Sequence, residues 1–303
     1  MNAGHQVTTF NRGTHLLAEQ NDVERIVGDR ALDLAVLKSR DWDAVIDTCG
    51  YDGTDVRASV ELLRAVVVCY VFVSSISVYA DFSAIGVHEE SPLRSRSNNE
   101  PDYGAQKAEC ERVVLDAMPA NSLIVRPGLI AGPFDASDRF TYWPTRIANG
   151  GTILAPGNPD RRLQFIDARD LSDWILRLIE NDTTGIFNAT GPSSILTMGT
   201  FLDLCKVVAG SDASFHWVDN EILTDFGLTP WSELPLWIPE SDQESRGFMS
   251  VDIKRALECG LQFRPLATTI RDTLHWDSER DVTSERKAGL SADREKRLLK
   301  KKS

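Results

Sequence analysis

The chain has 303 residues, 42% of them hydrophobic, enough to bury a large core in one big domain or a domain with a smaller appendage. Its 45 acidic against 33 basic side chains give a formal charge of -12, a field that repels phosphate backbones and anionic membrane surfaces. Non-specific nucleic-acid binding and membrane association are therefore disfavoured, and a small-molecule substrate is the expected partner. The longest apolar run, Ala65 to Val73, is about half of the ~20 residues needed to span a bilayer, and no signal core opens the chain, so the expected location is the cytoplasm. Cys49, Cys69, Cys110, Cys205 and Cys259 lie far apart, without C-x-x-C spacing, and read as reduced, mostly buried thiols. The histidines His5, His15, His88, His216 and His275 are scattered without ligand spacing, and no metal is expected.

In chain order, β-rich runs at Gln6 to Phe10, Val23 to Val27 and Ala44 to Thr48 precede a helical pattern over Asp55 to Ala65. The run from Val66 to Ser74 is apolar at nearly every position, as a central strand buried on both faces must be. A helix over Asp102 to Met118 leads to a strand at Ser122 to Val125, where Pro127 stops the ladder because it donates no amide hydrogen. This alternation predicts an α/β fold, a doubly wound parallel sheet with helices on both faces, and ligands at the carboxyl ends of its strands. Beyond residue 135 the pattern becomes irregular. Helical stretches at Phe140 to Ala148, Ala168 to Glu180 and Met198 to Val208, with a short strand at Ile186 to Ala189, predict a smaller C-terminal substrate lobe. The expected division is residues 1–135 for the sheet, 136–280 for the lobe and 281–303 for a charged tail that forms an exposed helix or frays.

Tyr103-Gly-Ala-Gln-Lys107 places a phenol and an ammonium one helical turn apart on the same face. A tyrosine of ordinary pKa, about 10, works as an acid and base near neutrality only beside a cation, which Lys107 could supply. The spacing also suits a plain surface pair. Its context adds weight, because Val73-Ser-Ser-Ile-Ser-Val-Tyr-Ala80 lies at the carboxyl end of the central strand. Serines at a strand end also simply tie down the turn, which is the other reading for Ser74 and Ser77.

Together with Phe10-Asn-Arg-Gly13, Asp43-Ala-Val-Ile-Asp-Thr-Cys-Gly50, Arg126-Pro-Gly-Leu-Ile-Ala-Gly-Pro133 and Phe165-Ile-Asp-Ala-Arg-Asp-Leu171, these motifs resemble the NAD(P)-dependent epimerase/dehydratase family, the extended or atypical short-chain dehydrogenase/reductases, and in particular its bacterial reductase-like members. The match departs at Ala80, where the family carries glycine. The resemblance implies a Rossmann-like fold in which Ser75 orients the substrate oxygen, Tyr103 passes the proton, and Lys107 binds the nicotinamide ribose and holds the phenol's pKa down. It implies an oxidoreductase or epimerase/dehydratase acting on a carbonyl or hydroxyl of a small organic substrate, sugar nucleotides included, and a homodimer. Arg161, Arg162 or Arg246 could meet a diphosphate, and they equally suit a solvated surface. The end of the first strand reads Asn11-Arg12 where NAD enzymes place an acid, so NADP is favoured over NAD. Asp29, Thr48, Gly50 and Pro127 complete the cofactor-side positions.

The family's glycine-rich turn should lie some 20 residues or more before Asn11. Met1 to Val7 instead reads as the last turn of the first helix, with Gly4 as its C-cap, running into the second strand. The expected fold thus lacks its first strand and glycine loop, exposing unpaired ladder edges. An internal start codon is the expectation, testable by mass spectrometry of the native N-terminus. The rival is a non-catalytic scaffold or RNA-associated relative that has lost cofactor binding, which the missing loop favours and the charge and intact Ser75, Tyr103 and Lys107 oppose.

On the substrate side, Phe140 and Trp143 either roof the substrate or pack in the core. Trp231 and Trp237, in a proline-rich stretch, could belong to a lid or to a surface loop. Asp167 and Asp170 read as helix capping rather than as an acid/base pair.

Overall fold

The computed structural model describes residues 4–14, 22–95, 102–281 and 285–300. The expected helical turn at Met1 to Ala3 and the final lysines 301 and 302 lie outside them. The chain forms two compact units that are not contiguous in sequence. The first comprises 1–74, 95–124 and 182–185; the second comprises 75–94, 125–181 and 186–303.

The first unit is the parallel α/β part. Strands β1 (Val7–Asn11) and β2 (Val23–Val27) pair in parallel as a two-stranded sheet. Strand β3 (Trp42–Asp47) pairs in parallel with β4 (Val67–Val73), with helix α1 (Gly53–Leu63) between them in sequence. Helix α2 (Tyr103–Ala117) packs on α1 and is followed by β5 (Ser122–Pro127), which is buried throughout. The parallel sheet runs in the order β10 (Gly185–Ala189), β5, β4, β3. Among the described residues no strand precedes β1, and β1 and β3 belong to different sheets, so each is an edge strand. Along β4 the two-sided burial holds from Tyr70 to Phe72 and fails at Val68, which is 60% exposed.

Local chemistry sets the ends of these elements. Asp52 accepts the Thr54 amide, so α1 starts two residues before the expected Asp55. Asp102 accepts the amides of Gly104 and Ala105, which makes Tyr103 the first helical residue of α2.

In the second unit, β6 (Leu129–Ala131) pairs with β9 (Phe165–Asp167) and β7 (Thr152–Pro156) with β12 (Ser214–Val218), both in parallel. A short antiparallel pair joins β8 (Arg162–Leu163) and β11 (Leu196–Thr197). Around them lie α3 (Tyr142–Ala148), α4 (Ala168–Glu180), α5 (Met198–Ala209), α6 (Asn220–Asp225), α7 (Lys254–Glu258), α8 (Leu266–Ser278) and α9 (Ala292–Lys300). Asp167 caps α4 through the Arg169 amide, and Asp170 is bound by Arg264, so both acids serve structure. The described part of the tail forms helix α9, exposed along much of its length, but one face of it docks. Glu295 of α9 is buried, accepting from Arg146 and from the Leu154 amide, and Leu298 joins the core. No described helix is long and apolar enough to cross a membrane. Cys49 and Cys259 are exposed, a correction to the expectation of mostly buried thiols that Cys110 and Cys205 meet.

Candidate functional site

At the carboxyl end of β4, Lys107 is only 2% exposed. Its Nζ donates to the Val73 carbonyl at 2.9 Å and stands 4.7 Å from the ring centre of Tyr51 and 4.8 Å from that of Phe72. Burial pushes the Lys107 pKa down, opposed through space by Cys110, Asp47 and Cys49. One turn earlier, Tyr103 is 46% exposed, and its ring centre lies 6.3 Å from that of Tyr51. The i, i+4 spacing therefore has a rim and a floor: the phenol at the helix start faces outward while the ammonium reaches back toward the strand.

The loop after β3 supplies the other wall. Gly50 is buried, and a Cβ there would sit 2.5 Å from Phe72 and 2.6 Å from Val56, so only glycine lets the backbone pass this close. Phe72 in turn walls Lys107, which links Gly50 to the lysine through one ring. Thr48 is exposed beside it. Below lies a buried network that sequence reasoning missed. Arg30 donates from Nη1 and Nη2 to the two oxygens of Asp47 at 2.8 and 2.5 Å, and from Nη2 to Ser59 Oγ at 2.9 Å. Asp47 also accepts from the Tyr70 hydroxyl at 2.8 Å and from the Cys49 amide at 3.1 Å. Burial opposes the Asp47 carboxylate, yet the Arg30 bonds and charge, with Tyr70 and the Cys49 amide, hold its pKa below the usual value. The Tyr70 phenol is pushed up by burial and by the Asp47 charge.

Asn11, Arg12 and Asp29 stand apart from Lys107, at the ends of β1 and β2. Asn11 Oδ1 accepts the Gly13 amide at 2.9 Å, in a turn where Gly13 has φ +70°, and Arg12 is exposed. Asp29 Oδ1 accepts the Ala31 amide at 2.8 Å. At the end of β4, Ser74 Oγ is buried with no hydrogen-bond partner among the described residues. The orphaned Ser74 hydroxyl beside the Lys107 box fits a polar group of a dinucleotide's ribose, and exposed Asn11 and Arg12, at the end of β1 in a separate sheet, fit its adenosine side.

Ser75 belongs to the second unit. It caps the short 3-10 turn Ile76–Val78, accepting the Ser77 amide at 3.1 Å and donating to Ser77 Oγ at 3.2 Å. Its segment is fastened by Arg126, which donates to the Tyr79 hydroxyl and to the Glu89 carbonyl, each at 3.0 Å, while Tyr79 donates to Asn188 Oδ1 at 2.6 Å. Pro127, next to Arg126, is buried at the end of β5. Phe140 and Trp143 are fully buried: Phe140 packs on Phe165 and Phe201, and Trp143 Nε1 donates to the Pro235 carbonyl. Their burial supports core packing rather than a substrate roof. Trp237 is likewise buried, bonded to Asn220, so it is no lid residue. Arg161 has a buried Nη1 without a partner, and burial pushes its pKa down to about 10, whereas Arg162 and Arg246 are exposed.

The unforeseen site residues are Tyr51, Phe72, Arg30 and Asp47. Asp47 stands inside the Asp43 to Gly50 motif and Tyr51 directly follows its glycine, whereas Phe72 and Arg30 carried no separate signal.

A curated relative, the chloroplast stem-loop binding protein of 41 kDa b of Arabidopsis thaliana, is 26% identical over 225 residues. The match covers 68% of this chain and 56% of that protein, so the chain spans about half the length of this relative. The UDP-N-acetylglucosamine 4-epimerase from Methanobrevibacter ruminantium M1, solved in complex with UDP-N-acetylmuramic acid, superposes with a TM-score of 0.67 at 17% identity over 90% of each chain. WbmH of Bordetella bronchiseptica, in complex with NAD+, gives 0.65 at 15% identity over 93% of each chain. RMD of Pseudomonas aeruginosa, complexed with NADPH, gives 0.61 at 16% identity, covering 91% of this chain and 100% of that one. These structures share the fold. Residues 1–190 match the NAD dependent epimerase/dehydratase family, and the chain belongs to that family.

Proposed function

We propose that the chain is a nicotinamide-dependent oxidoreductase or epimerase/dehydratase of the sugar-nucleotide type, with Tyr103 and Lys107 as its proton-transfer pair, Ser75 as the hydroxyl that orients the substrate oxygen, and NADP(H) preferred over NAD(H). One observation carries this reading. A lysine ammonium is buried at the carboxyl end of β4, one helical turn from a half-exposed phenol, with a carbonyl and two aromatic faces as its partners. The nicotinamide ring, when bound, supplies or accepts the hydride. Tyr103 gives its phenolic proton to the substrate oxygen as the carbon is reduced and takes it back as the carbon is oxidised. The Lys107 charge stabilises the phenolate left between those steps. Asn11 and Arg12 would hold the adenosine ribose, and a guanidinium there, with no carboxylate in the motif, favours a 2′-phosphate. The sugar-nucleotide class is supported by the family and by the activity named for the Methanobrevibacter neighbour.

The test is titration with NADPH and NADH, followed by nicotinamide fluorescence, and then turnover against a panel of UDP- and GDP-sugars with Tyr103→Phe as control. Tight NADPH binding and a loss of roughly 10²-fold or more in kcat for Tyr103→Phe, at unchanged dinucleotide affinity, are expected. Failure of both dinucleotides to bind refutes the reading.

A further inference from the structure

Tyr51 has no place in the roles assigned so far, yet it is the residue that joins the two members of the proposed pair. Its ring centre lies 4.7 Å from Lys107 Nζ and 6.3 Å from the Tyr103 ring, at an interplanar angle of 42°. It remains 55% exposed, so burial in the core does not account for its position. The chain on either side is fixed. Gly50 before it lies against Phe72 where no Cβ fits, and Asp52 after it caps α1 through the Thr54 amide.

The Lys107 box has three walls of different kinds. The Val73 carbonyl is sheet backbone, and Phe72 is a fully buried side chain of β4. Tyr51 is the wall contributed by a loop, and it can be altered without opening the core. An aromatic face over an ammonium in a poorly hydrated place stabilises the charge, which offsets part of what burial costs the lysine.

We propose that Tyr51 is a positioning residue for the Tyr103 and Lys107 pair: its aromatic face closes the Lys107 box and holds the ammonium charged and oriented on the Tyr103 side of α2. The inference rests on the proposed role of that pair. Other groups also act on Lys107, namely Cys110 on its own helix, Asp47 and Cys49 at the end of β3, and Arg30 from the loop after β2. Any test must leave them in place, and a substitution at residue 51 does.

The experiment reads the Lys107 titration directly, from the 15N shift of its amine in labelled protein, assigned with Lys107→Arg. Tyr51→Leu keeps an apolar cover and removes the π face. The midpoint of Lys107 is expected to fall by roughly half to one pH unit, and kcat to drop several-fold with KM nearly unchanged. Tyr51→Phe, which retains the face, is expected to restore both. Should Tyr51→Leu fold poorly, a series of singly to multiply fluorinated phenylalanines at 51 weakens the face at nearly constant volume, and the midpoint should fall stepwise along it. An unchanged Lys107 midpoint in Tyr51→Leu or along that series overturns the proposal, as does a Tyr51→Phe variant as impaired as Tyr51→Leu. The titration needs no cofactor, so a shifted midpoint in a chain that binds no dinucleotide sinks the enzymatic reading while leaving the positioning intact.

Discussion

Replacing Asp47 with alanine tests the electrostatic reasoning at its most exposed point. The carboxylate takes both terminal nitrogens of the Arg30 guanidinium, at 2.8 and 2.5 Å. The two side chains are only 17% and 5% exposed, and Arg30 Nε has no hydrogen-bond partner among the described residues. Removing one member of a buried pair leaves the other charge uncompensated, at a cost of about 3–5 kcal/mol. The Tyr70 hydroxyl and the Cys49 amide lose their acceptor in the same step, so the upper part of that range applies. The double variant Arg30→Met/Asp47→Leu removes both charges and should recover most of the loss. Because the folded Asp47 pKa is depressed, its contribution is fully present above the ordinary carboxylate pKa of about 4 and disappears as pH falls through the lower folded value. Urea unfolding at a series of pH values measures both effects. The native chain should exceed Asp47→Asn at pH 7 and begin to converge on it only below about pH 4, as pH falls through the lower folded Asp47 pKa. A loss under about 1 kcal/mol for Asp47→Ala, or a double variant no more stable than either single one, refutes the account.

Three other outcomes are expected. Gly50→Ala drives a methyl to 2.5 Å from Phe72, and should lower stability by about 1–3 kcal/mol in the same urea assay while disturbing the Lys107 box. Glu295→Ala strips Arg146 and the Leu154 amide of a buried acceptor, and should lower the melting temperature, by about 2–4 kcal/mol of stability, although the tail looks dispensable by composition. Arg12→Glu should turn the dinucleotide preference from NADPH toward NADH by at least about tenfold in the ratio of dissociation constants, read by fluorescence titration.

The elements were legible where periodicity and local chemistry agree. The helix carrying Tyr103 and Lys107 was expected over Asp102 to Met118 and forms over Tyr103–Ala117, because an acid at 102 caps it and the i, i+4 pair fixes its face. The strand from Val66 to Ser74 forms over Val67–Val73, but an apolar run cannot say which of its residues meet neighbours, and Val68 does not. The aromatic cluster at 140–143 was ambiguous for the same reason: Phe140 and Trp143 would look alike over a substrate or inside a core, and only their packing decides. Arg30 and Asp47 are 17 residues apart with no periodic relation, and their pairing depends on how two strand ends meet. The docked tail was misread because its charges conceal one buried glutamate whose partners lie some 140 residues earlier. Tyr51 needed the coordinates of α2 to acquire a meaning.

Two buried charges within the first unit are treated in opposite ways, and the contrast bears on which of them acts. Arg30 has a full carboxylate at hydrogen-bond distance, and the pair holds itself ionised: the guanidinium pKa rises while that of the acid falls. Such a pair gains nothing by exchanging protons near neutrality, so its work is to fix the loops after β2 and β3. Lys107 has a carbonyl dipole and two aromatic faces instead, and Asp47 reaches it only through space. These partners favour the ammonium without neutralising it, and burial pulls its pKa toward the neutral range rather than away from it. On the proposed reading, that partly unbalanced field is what would let the Tyr103 proton leave and return, because any carboxylate seated on Lys107 would spend it on itself.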